Sequence, residues 1–158
     1  MEEYYFKQND NETYTIMAYK GDLEEVTVPS VYAGKPVTIL YDSLFKNHEE
    51  IRSVSIPEGI EDIGGFVFDG CHNLKKISLP STLINLWQYA FVRSAVEEIV
   101  LPDNLVSIPP YAFKDCRQLK KVICGKGLKK IHAHAFEGCV QMKEIICDPA
   151  VEITGDLF

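Results

Sequence analysis

A phenylalanine recurs through the chain at an almost constant spacing. It closes an apolar dipeptide six times, and consecutive copies are separated by 23, 23, 22, 23 and 22 residues. The copies are Phe45, Phe68, Phe91, Phe113, Phe136 and Phe158. A fixed period between about 20 and 50 residues is typical of solenoid proteins, in which each repeat forms one coil stacked on its neighbours. Since a solenoid presents its function on an extended surface rather than in a pocket, the spacing favours a binding protein over an enzyme.

Apolar columns accompany the phenylalanine in every repeat. In Ile77-Ser78-Leu79 two apolar residues flank a polar one, and Pro80 follows directly. This alternation is typical of a β-strand, and a proline ends such a strand because it cannot donate to the ladder. We expect the copies to lie side by side as a parallel sheet, with a looser second strand on the opposite wall. The segment from the phenylalanine to the following cysteine column is expected to form a short helical or 3₁₀ turn.

The repeats predict one continuous domain with a distinct beginning. Residues 1–40 are expected to form an N-terminal cap with a degenerate first repeat, because residues 14–19 alternate like a strand and residues 25–29 copy the strand-proline unit. Residues 41–158 hold about five to six repeats of 22–23 residues. The sequence stops on the repeating Phe158, which leaves two interpretations open. The last half-turn is a minimal cap, or the chain is a fragment of a longer array.

Charge and hydropathy exclude several classes of protein. The formal net charge of the 158 residues is -7, and residues 1–50 carry ten Asp and Glu against four Lys and Arg. This balance argues against a nucleic-acid binder, which normally carries a basic field. No apolar run approaches the roughly 18 residues that a membrane-spanning helix needs, so no membrane insertion is expected. The acidic start also lacks the apolar core of a secretory signal.

The five cysteines fall into two apolar columns. Cys71, Cys116 and Cys139 share one, and Cys124 and Cys147 share the other. We interpret all of them as buried structural thiols, because free cysteine packs as a small hydrophobe. Cys124 and Cys147 should lie on neighbouring strands, close enough for a disulfide. Their parallel side-chain directions, however, predict poor geometry for one.

No catalytic, cofactor or metal site stands out in the sequence. His132 and His134 with nearby Cys139 could suggest zinc, but they complete no closed ligand set. His72 follows Cys71 at a turn, without a partner that would make a nucleophile pair. Residues 125–127, Gly-Lys-Gly, replace the proline of other repeats and predict a turn rather than a phosphate loop. An enzyme would need a polar cleft with perturbed titratable groups, and no such cluster is visible.

Two stretches carry a resemblance to a known family. Residues 55–64, Ser-Ile-Pro-Glu-Gly-Ile-Glu-Asp-Ile-Gly, and residues 67–71, Val-Phe-Asp-Gly-Cys, resemble the BspA-like leucine-rich repeats. The likeness extends over about residues 12–158, including the lead-in that ends at Gly34-Lys35-Pro36-Val37-Thr38-Ile39. The resemblance implies a curved leucine-rich repeat solenoid, mostly β, with parallel strands on its concave face. It also implies a bacterial protein of the adhesin or protein-binding kind, on the cell surface or secreted, and supplies no catalytic residues. Because no signal is visible in the chain, a cytoplasmic location stays open.

The outward positions of the main strand change character along the array. The central outward residue is serine at Ser55 and Ser78 and apolar at Val100, Ile123 and Ile146. Exposed contiguous apolar surface often marks an interaction site, so we predict that these last three residues form the centre of a partner-binding face. The alternative is simple β-propensity on a flat sheet. The charged residues expected to flank the stripe are Lys76, Glu98, Lys121 and Glu144.

A basic cluster offers a further surface. It comprises Lys120, Lys121, Lys126, Lys129 and Lys130. It forms either a solvated rim or a docking patch for an acidic partner. Taken together, the sequence predicts a non-enzymatic protein–protein interaction module that binds through the concave sheet face, with a host or bacterial surface protein as its partner. The alternative is a spacer or scaffold repeat domain of a larger protein, with no ligand of its own.

Overall fold

The computed structural model describes residues 2–158, and β-strands are the regular elements of that range. In chain order the strands are β1 (Glu3–Gln8), β2 (Tyr14–Lys20), β3 (Glu25–Thr27), β4 (Val31–Tyr32), β5 (Lys35–Leu40), β6 (Ser53–Ser55), β7 (Asp62–Ile63), β8 (Lys76–Ser78), β9 (Asn85–Leu86), β10 (Glu98–Val100), β11 (Ser107–Ile108), β12 (Lys121–Ile123), β13 (Lys130–Ile131), β14 (Glu144–Ile146) and β15 (Glu152–Ile153).

The main strands of successive repeats form one wall of the solenoid, as the alternation predicted. Strands β3, β6 and β8 pair in parallel, and β10, β12 and β14 form a second parallel sheet. Four of their central residues, Val26, Val54, Ile99 and Val122, are buried, and the other two, Ile77 and Ile145, are partly buried against the core. Because side chains alternate along a strand, the residues on either side of these central ones face outward.

A second wall is built from the shorter strands. Strands β5, β7 and β9 pair in parallel, as do β11, β13 and β15. The second residue of β7, β9, β11 and β13 is buried, as Ile63, Ile108 and Ile131 illustrate, whereas Ile153 of β15, in the last coil, is 54% exposed. The L-x-x-I spacing therefore corresponds to the looser second strand that we expected. Both walls run along one continuous hydrophobic core.

The first coil is covered by an antiparallel hairpin. Strand β1 pairs with β2, which in turn pairs in parallel with β5, while β4 folds back on β5. Tyr4, Phe6 and Tyr14 from this hairpin pack against the core. The alternation of residues 14–19 predicted β2, but nothing in the sequence analysis indicated β1. The division into a cap over residues 1–40 and repeats over residues 41–158 stays a prediction.

The turn segments that follow the second-wall strands form a third wall of the solenoid, and the repeating phenylalanines form a stacked ladder inside it. The first five rings are fully buried, and neighbouring centroids in that group lie 5.7, 4.9, 5.0 and 5.4 Å apart. Phe158 completes the ladder at 6.5 Å from Phe136 but is 58% exposed. Each of the four inner rings thus packs between equivalent rings of the adjacent coils, which explains why the residue recurs once per coil.

The segment around each phenylalanine is a series of turns, which corrects the expected helical or 3₁₀ turn. The Phe45 N–H donates across coils to the Val67 carbonyl at 2.9 Å, whereas the His48 N–H donates within the turn to the Phe45 carbonyl at 3.2 Å. Alternate N–H groups thus bond to the next coil, and a helix would need all of them to bond locally. Left-handed residues such as Asn47, with φ 63°, accompany this alternation.

The strand ladders of both walls are interrupted at one place, which we call the seam. Strands β8 and β10 belong to different sheets, as do β9 and β11. The third wall continues across the seam, since the Phe91 N–H donates to the Ala112 carbonyl at 2.9 Å. The seam therefore separates the strand walls into two halves while the phenylalanine ladder joins them.

Sequence differences in the repeat between β9 and β11 account for the seam. The repeat that crosses it is one residue shorter after Ser94. Elsewhere in the second wall, a backbone N–H donates to the preceding coil, as the Trp87 N–H does to the Ile63 carbonyl at 3.1 Å. Across the seam the equivalent residue is Pro109, which has no N–H to donate. Ile77 and Leu79, beside the seam, are only partly buried.

Candidate binding face

The outer side of the main strand wall carries two contrasting rows of side chains. Ladder pairing places Thr27, Ser55 and Ser78 in line on β3, β6 and β8, and we call them the hydroxyl row. Beyond the seam, Val100, Ile123 and Ile146 stand in line on β10, β12 and β14, and we call them the apolar row. The predicted change from polar to apolar residues thus falls at the seam.

The apolar row is accessible. Val100 is 58% exposed and Ile146 is 47% exposed, while Ile123 between them is partly buried. Direct strand pairing holds neighbouring members about 4.8 Å apart, so their side chains form a continuous strip. The hydroxyl row is polar in itself, and the Ser55 and Ser78 hydroxyl oxygens lie 3.2 Å apart. An open cleft of about 390 Å³ lies over this row.

The charged residues expected beside the stripe are divided by the seam. Glu98, Lys121 and Glu144 are in register on the three strands of the apolar row. The Lys121 Nζ lies 3.6 Å from the Glu144 Oε1, so these two charges form an exposed pair. Lys76 is on β8, where it pairs with Ser53. The structure therefore brings six of the seven predicted residues onto one sheet and places Lys76 on the other side of the seam.

The cysteines divide into a bonded pair and three thiols. Cys124 and Cys147 form a disulfide between adjacent coils, with their Cα atoms 5.0 Å apart. The expectation of five free thiols was therefore wrong for this pair. Cys124 and Cys147 directly follow the paired strands β12 and β14, their Cα separation is within the range that disulfides span, and the parallel side-chain directions expected there do not prevent the bond. Cys71, Cys116 and Cys139 are free and buried. Each donates its thiol to a phenylalanine carbonyl, at 3.1, 3.0 and 3.1 Å respectively.

Burial makes Cys71 a poor nucleophile. Loss of solvent raises the pKa of its thiol to about 12. A thiol with such a pKa is protonated near neutral pH, whereas the reactive form of cysteine is the thiolate. His72 points elsewhere, into a cleft of about 220 Å³ that it lines with Arg93 and Arg117. The structure thus separates the cysteine from the histidine that follows it in sequence.

The histidines near Cys139 do not converge either. The His134 ring stacks on Tyr111 at 5.6 Å, and the Cys139 thiol faces inward to the Phe113 carbonyl. A hydrogen bond to Cys116, together with burial, raises the pKa of Cys139. Within residues 2–158, no group of three or more His, Cys, Asp or Glu side chains could hold a metal ion.

The Gly-Lys-Gly segment is a structural turn. A side chain at Gly125 or Gly127 would collide with the backbone carbonyls of Pro102 and Asp103 in the preceding coil. The Lys126 N–H donates to the Asp103 carboxylate at 2.9 Å. Among the five lysines of the basic cluster, Lys121 and Lys130 lie near Glu144 and Glu152, which reduces the local positive field.

Sequence reasoning missed an exposed indole at the bend before the third wall. Trp87 is 56% exposed and borders a cleft of about 400 Å³ together with Asp42, Gly65 and Gln88. The Asp42 carboxylate accepts a hydrogen bond from the Gly65 N–H at 3.0 Å. Two adjacent glycines in the preceding repeat leave the indole uncovered on that side. The signal was present, because Trp87 is the chain's one tryptophan and aligns with Gly64.

A second aromatic ladder was also missed. It lies two positions before the repeating phenylalanine and comprises Phe66, Tyr89, Tyr111 and His134, with centroids 4.9, 5.1 and 5.6 Å apart. All of them have φ between 60° and 64°, a conformation that bulky residues rarely adopt. Since the rings stack on one another, they offer edges rather than faces to solvent. We therefore attribute to this ladder a structural role.

Residues 2–158 contain no helix long and apolar enough to cross a membrane. A family model described as the BspA type leucine rich repeat region matches residues 38–158 in six copies. No curated protein sequence matches the chain.

Solved structures share the fold. A Treponema pallidum leucine-rich repeat protein superposes with a TM-score of 0.75 at 26% identity, over 96% of this chain and 83% of its own. A leucine-rich cell surface protein from Faecalibacterium prausnitzii has a TM-score of 0.58 at 20% identity, over 90% of this chain and 52% of its own. The pneumococcal vaccine antigen PcpA has a TM-score of 0.62 at 21% identity, over 85% and 33%. The last two likenesses concern the fold alone.

Proposed function

This chain belongs to the BspA-type leucine-rich repeat family, and from that premise we propose that it is a non-enzymatic module that binds another protein through the apolar row. The repeat family suggests a protein-interaction or scaffold role. The observation that carries the finer proposal is the in-register arrangement of Val100, Ile123 and Ile146 on the outer side of three paired strands, with Val100 and Ile146 exposed. An exposed apolar strip lowers the solubility of a protein and contributes nothing to its buried core. Contiguous exposed apolar surface is characteristic of interaction sites.

The hydroxyl row supports this proposal by contrast. Thr27, Ser55 and Ser78 occupy the same outward position as the apolar row and accommodate the same strand pairing. The solenoid thus folds with hydroxyl side chains there, so apolar residues at this position are not required by the coil itself.

The charges beside the apolar row suggest the chemistry of the partner. Lys121 is paired with Glu144, whereas Glu98 forms no ion pair with any side chain of residues 2–158 and lies on β10, at the edge of the sheet next to the seam. We infer that the partner presents an apolar ridge with a basic residue positioned near Glu98. Charged rims contribute mainly to specificity and association rate, while the buried apolar centre supplies the affinity.

We propose an extracytoplasmic location for the module. The Cys124–Cys147 disulfide supports it, because disulfides persist in oxidising compartments and are rare in the cytosol. The solved relative from Faecalibacterium prausnitzii is described as a cell surface protein, which agrees with this location.

Binding experiments on matched variants test the proposal. The purified chain would first capture partners from host-matrix and bacterial-envelope extracts, and each identified protein would then be titrated against wild type, Ile123→Glu and Ser55→Glu by surface plasmon resonance. Ser55 occupies the middle of the hydroxyl row, as Ile123 does in the apolar row, so the two variants introduce the same charge at equivalent positions. Circular dichroism melting curves would verify that both variants fold.

We expect Ile123→Glu to weaken binding at least about tenfold, as truncation of a central contact commonly does, and Ser55→Glu to leave it nearly unchanged. Equal loss in both variants, or retention in both, would reject the apolar row as the binding site. Failure of every captured protein to depend on either row would favour the scaffold alternative.

A further inference from the structure

Strand β1 is the outer edge of its sheet. The sheet order runs β1-β2-β5-β7-β9, so β1 pairs with β2 on one side, and among residues 2–158 no strand pairs with its other side. With six residues it is twice as long as the three-residue strands of the main wall. An unpaired strand edge presents a row of N–H and C=O groups that can template pairing with another chain.

The two faces of β1 differ. Tyr4 and Phe6 pack against the core, while Glu3, Tyr5 and Lys7 are exposed. Tyr5 is 52% exposed, and its hydroxyl donates to the Glu3 carboxylate at 3.1 Å, so these two side chains share the outer face. The pairing register with β2 shifts between Tyr5 and Phe6, where Ala18 and Ile16 are the partners. The extra residue therefore belongs to β2, and β1 itself keeps an unbroken outer edge.

The charges on β1 are symmetric about Tyr5. Glu3 lies two residues before Tyr5 and Lys7 lies two residues after it. When two copies of β1 run antiparallel with the tyrosines opposite each other, each Glu3 faces the Lys7 of the other copy. Parallel in-register pairing would instead oppose like charges. Charges on an edge strand commonly block pairing, but this arrangement opposes parallel pairing and favours one antiparallel register.

We propose that β1 pairs antiparallel with β1 of a second copy of this chain, centred on Tyr5. The interface is isologous, because each copy contributes the same strand and the contacts are related by a two-fold axis. Tyr4 of each copy is then opposite Phe6 of the other, which extends the aromatic packing of the hairpin across the interface.

The pairing leaves the main strand wall of each copy free. Strand β1 lies at the far end of the β2-β5 sheet, whereas the apolar row is on β10, β12 and β14. The dimer does not depend on the proposed binding function. If both hold, the assembly presents two equivalent binding faces, and a partner displayed in several copies would be held with increased avidity.

The expected dimer is weak. Pairing of six residues from each copy buries less than the roughly 1,200 Å² found at the lower end of stable interfaces. We therefore expect a monomer–dimer equilibrium that shifts with concentration from the micromolar towards the millimolar range.

Charge variants test the register by sedimentation velocity over that concentration range. Glu3→Lys and Lys7→Glu each place like charges at both ends of the pairing, so each variant alone should be monomeric. An equimolar mixture of the two variants should form heterodimers, because every opposed pair is again complementary. The double variant E3K/K7E should dimerise as wild type does.

Oxidative cross-linking provides a second readout. Tyr5→Cys places two thiols opposite each other on the two-fold axis, and we expect a disulfide-linked dimer after mild oxidation. Gln8→Cys is the control on the same strand, since the two copies of residue 8 would lie about 20 Å apart in this register. A wild-type chain that stays monomeric throughout would overturn the proposal. Dimers that persist in both single variants, or cross-linking that is equally efficient at residue 8, would overturn it as well.

Discussion

The two halves of the main strand wall have similar aliphatic residues on the inward side and side chains of different polarity on the outer side. Strands β3, β6 and β8 carry hydroxyls outside, whereas β10, β12 and β14 carry aliphatic side chains there. Their inward residues are alike, with Val26 and Val54 in the first half and Ile99 and Val122 in the second. The inward column maintains the coil and tolerates little change. The outward column is free to vary, so it is the position at which a surface function can be placed.

The seam separates these two halves, and the halves also differ in how their coils are held together. Both strand ladders stop there, while the phenylalanine ladder continues. The second half also contains the Cys124–Cys147 disulfide, which ties adjacent coils together. We therefore expect the halves to differ in local stability and to depend on the third wall for their connection.

The largest expected effect comes from removing the ring that joins the halves. Phe91 is fully buried and stacks on Phe68 at 4.9 Å and on Phe113 at 5.0 Å. Phe91→Ala should lower the free energy of unfolding by about 3–5 kcal/mol, the usual cost of such a cavity. Urea denaturation would measure it. Phe158→Ala is the control, since this ring is largely exposed, and an equal loss in both variants would contradict the role assigned to the ladder.

Loss of the disulfide should have the next largest effect. The bond closes a sequence separation of 23 residues, for which the chain-entropy model predicts about 3 kcal/mol of stabilisation. Cys147→Ser should lower the unfolding midpoint, and reducing agent should destabilise wild type without affecting the variant. Thiol titration of the unfolded wild-type protein should detect three free cysteines, and five would contradict the bond.

Hydrogen exchange should reveal the seam directly. The Ile56 and Leu101 N–H groups donate across coils at 3.1 and 2.8 Å, but the equivalent Leu79 N–H has no such partner across the seam. We expect the Leu79 amide to exchange at least about tenfold faster than the other two, because its opening requires no ladder bond to break. Similar protection at all three amides would indicate that the strand walls are continuous in solution.

A smaller effect concerns a carboxylate that links two coils in the first half. Glu58 accepts hydrogen bonds from the Ser81 hydroxyl at 2.7 Å and from its N–H at 2.9 Å, and these bonds lower the pKa of Glu58. A folded-state pKa below the unfolded value stabilises the protein above the unfolded pKa, and this contribution is lost as pH falls through the folded pKa. Glu58→Gln should therefore be slightly destabilising at neutral pH and nearly neutral in strong acid. Chemical denaturation at both pH values would check this, and a penalty independent of pH would contradict it.

The repeating columns made the solenoid predictable, because each inward position meets its own equivalent in the next coil. The register of Val100, Ile123 and Ile146 followed from the same spacing. The turn conformation was not predictable, since whether the Phe45 N–H bonds locally or to Val67 depends on a neighbouring coil. The seam was equally hidden, although the shorter repeat and Pro109 are its visible causes.

Three other features, strand β1, the disulfide and the exposed Trp87, could not be predicted from the repeat period. Strand β1 precedes the repeats, so no column predicted it, and its pairing depends on β2. The disulfide was wrongly disfavoured because the parallel side-chain directions of ideal strands were used to judge it, although the expected separation of Cys124 and Cys147 already allowed the bond. Trp87 is exposed because the preceding repeat has glycines, Gly64 and Gly65, where a side chain could have covered the indole.

The difference between the two halves is tested most directly by hydrogen exchange of the chain with and without a captured partner protein. We predict that binding slows exchange in β10, β12 and β14 and leaves β3, β6 and β8 unchanged. Protection confined to the hydroxyl row, to the cleft beside Trp87, or to neither strand sheet would contradict the assignment of binding to the apolar row.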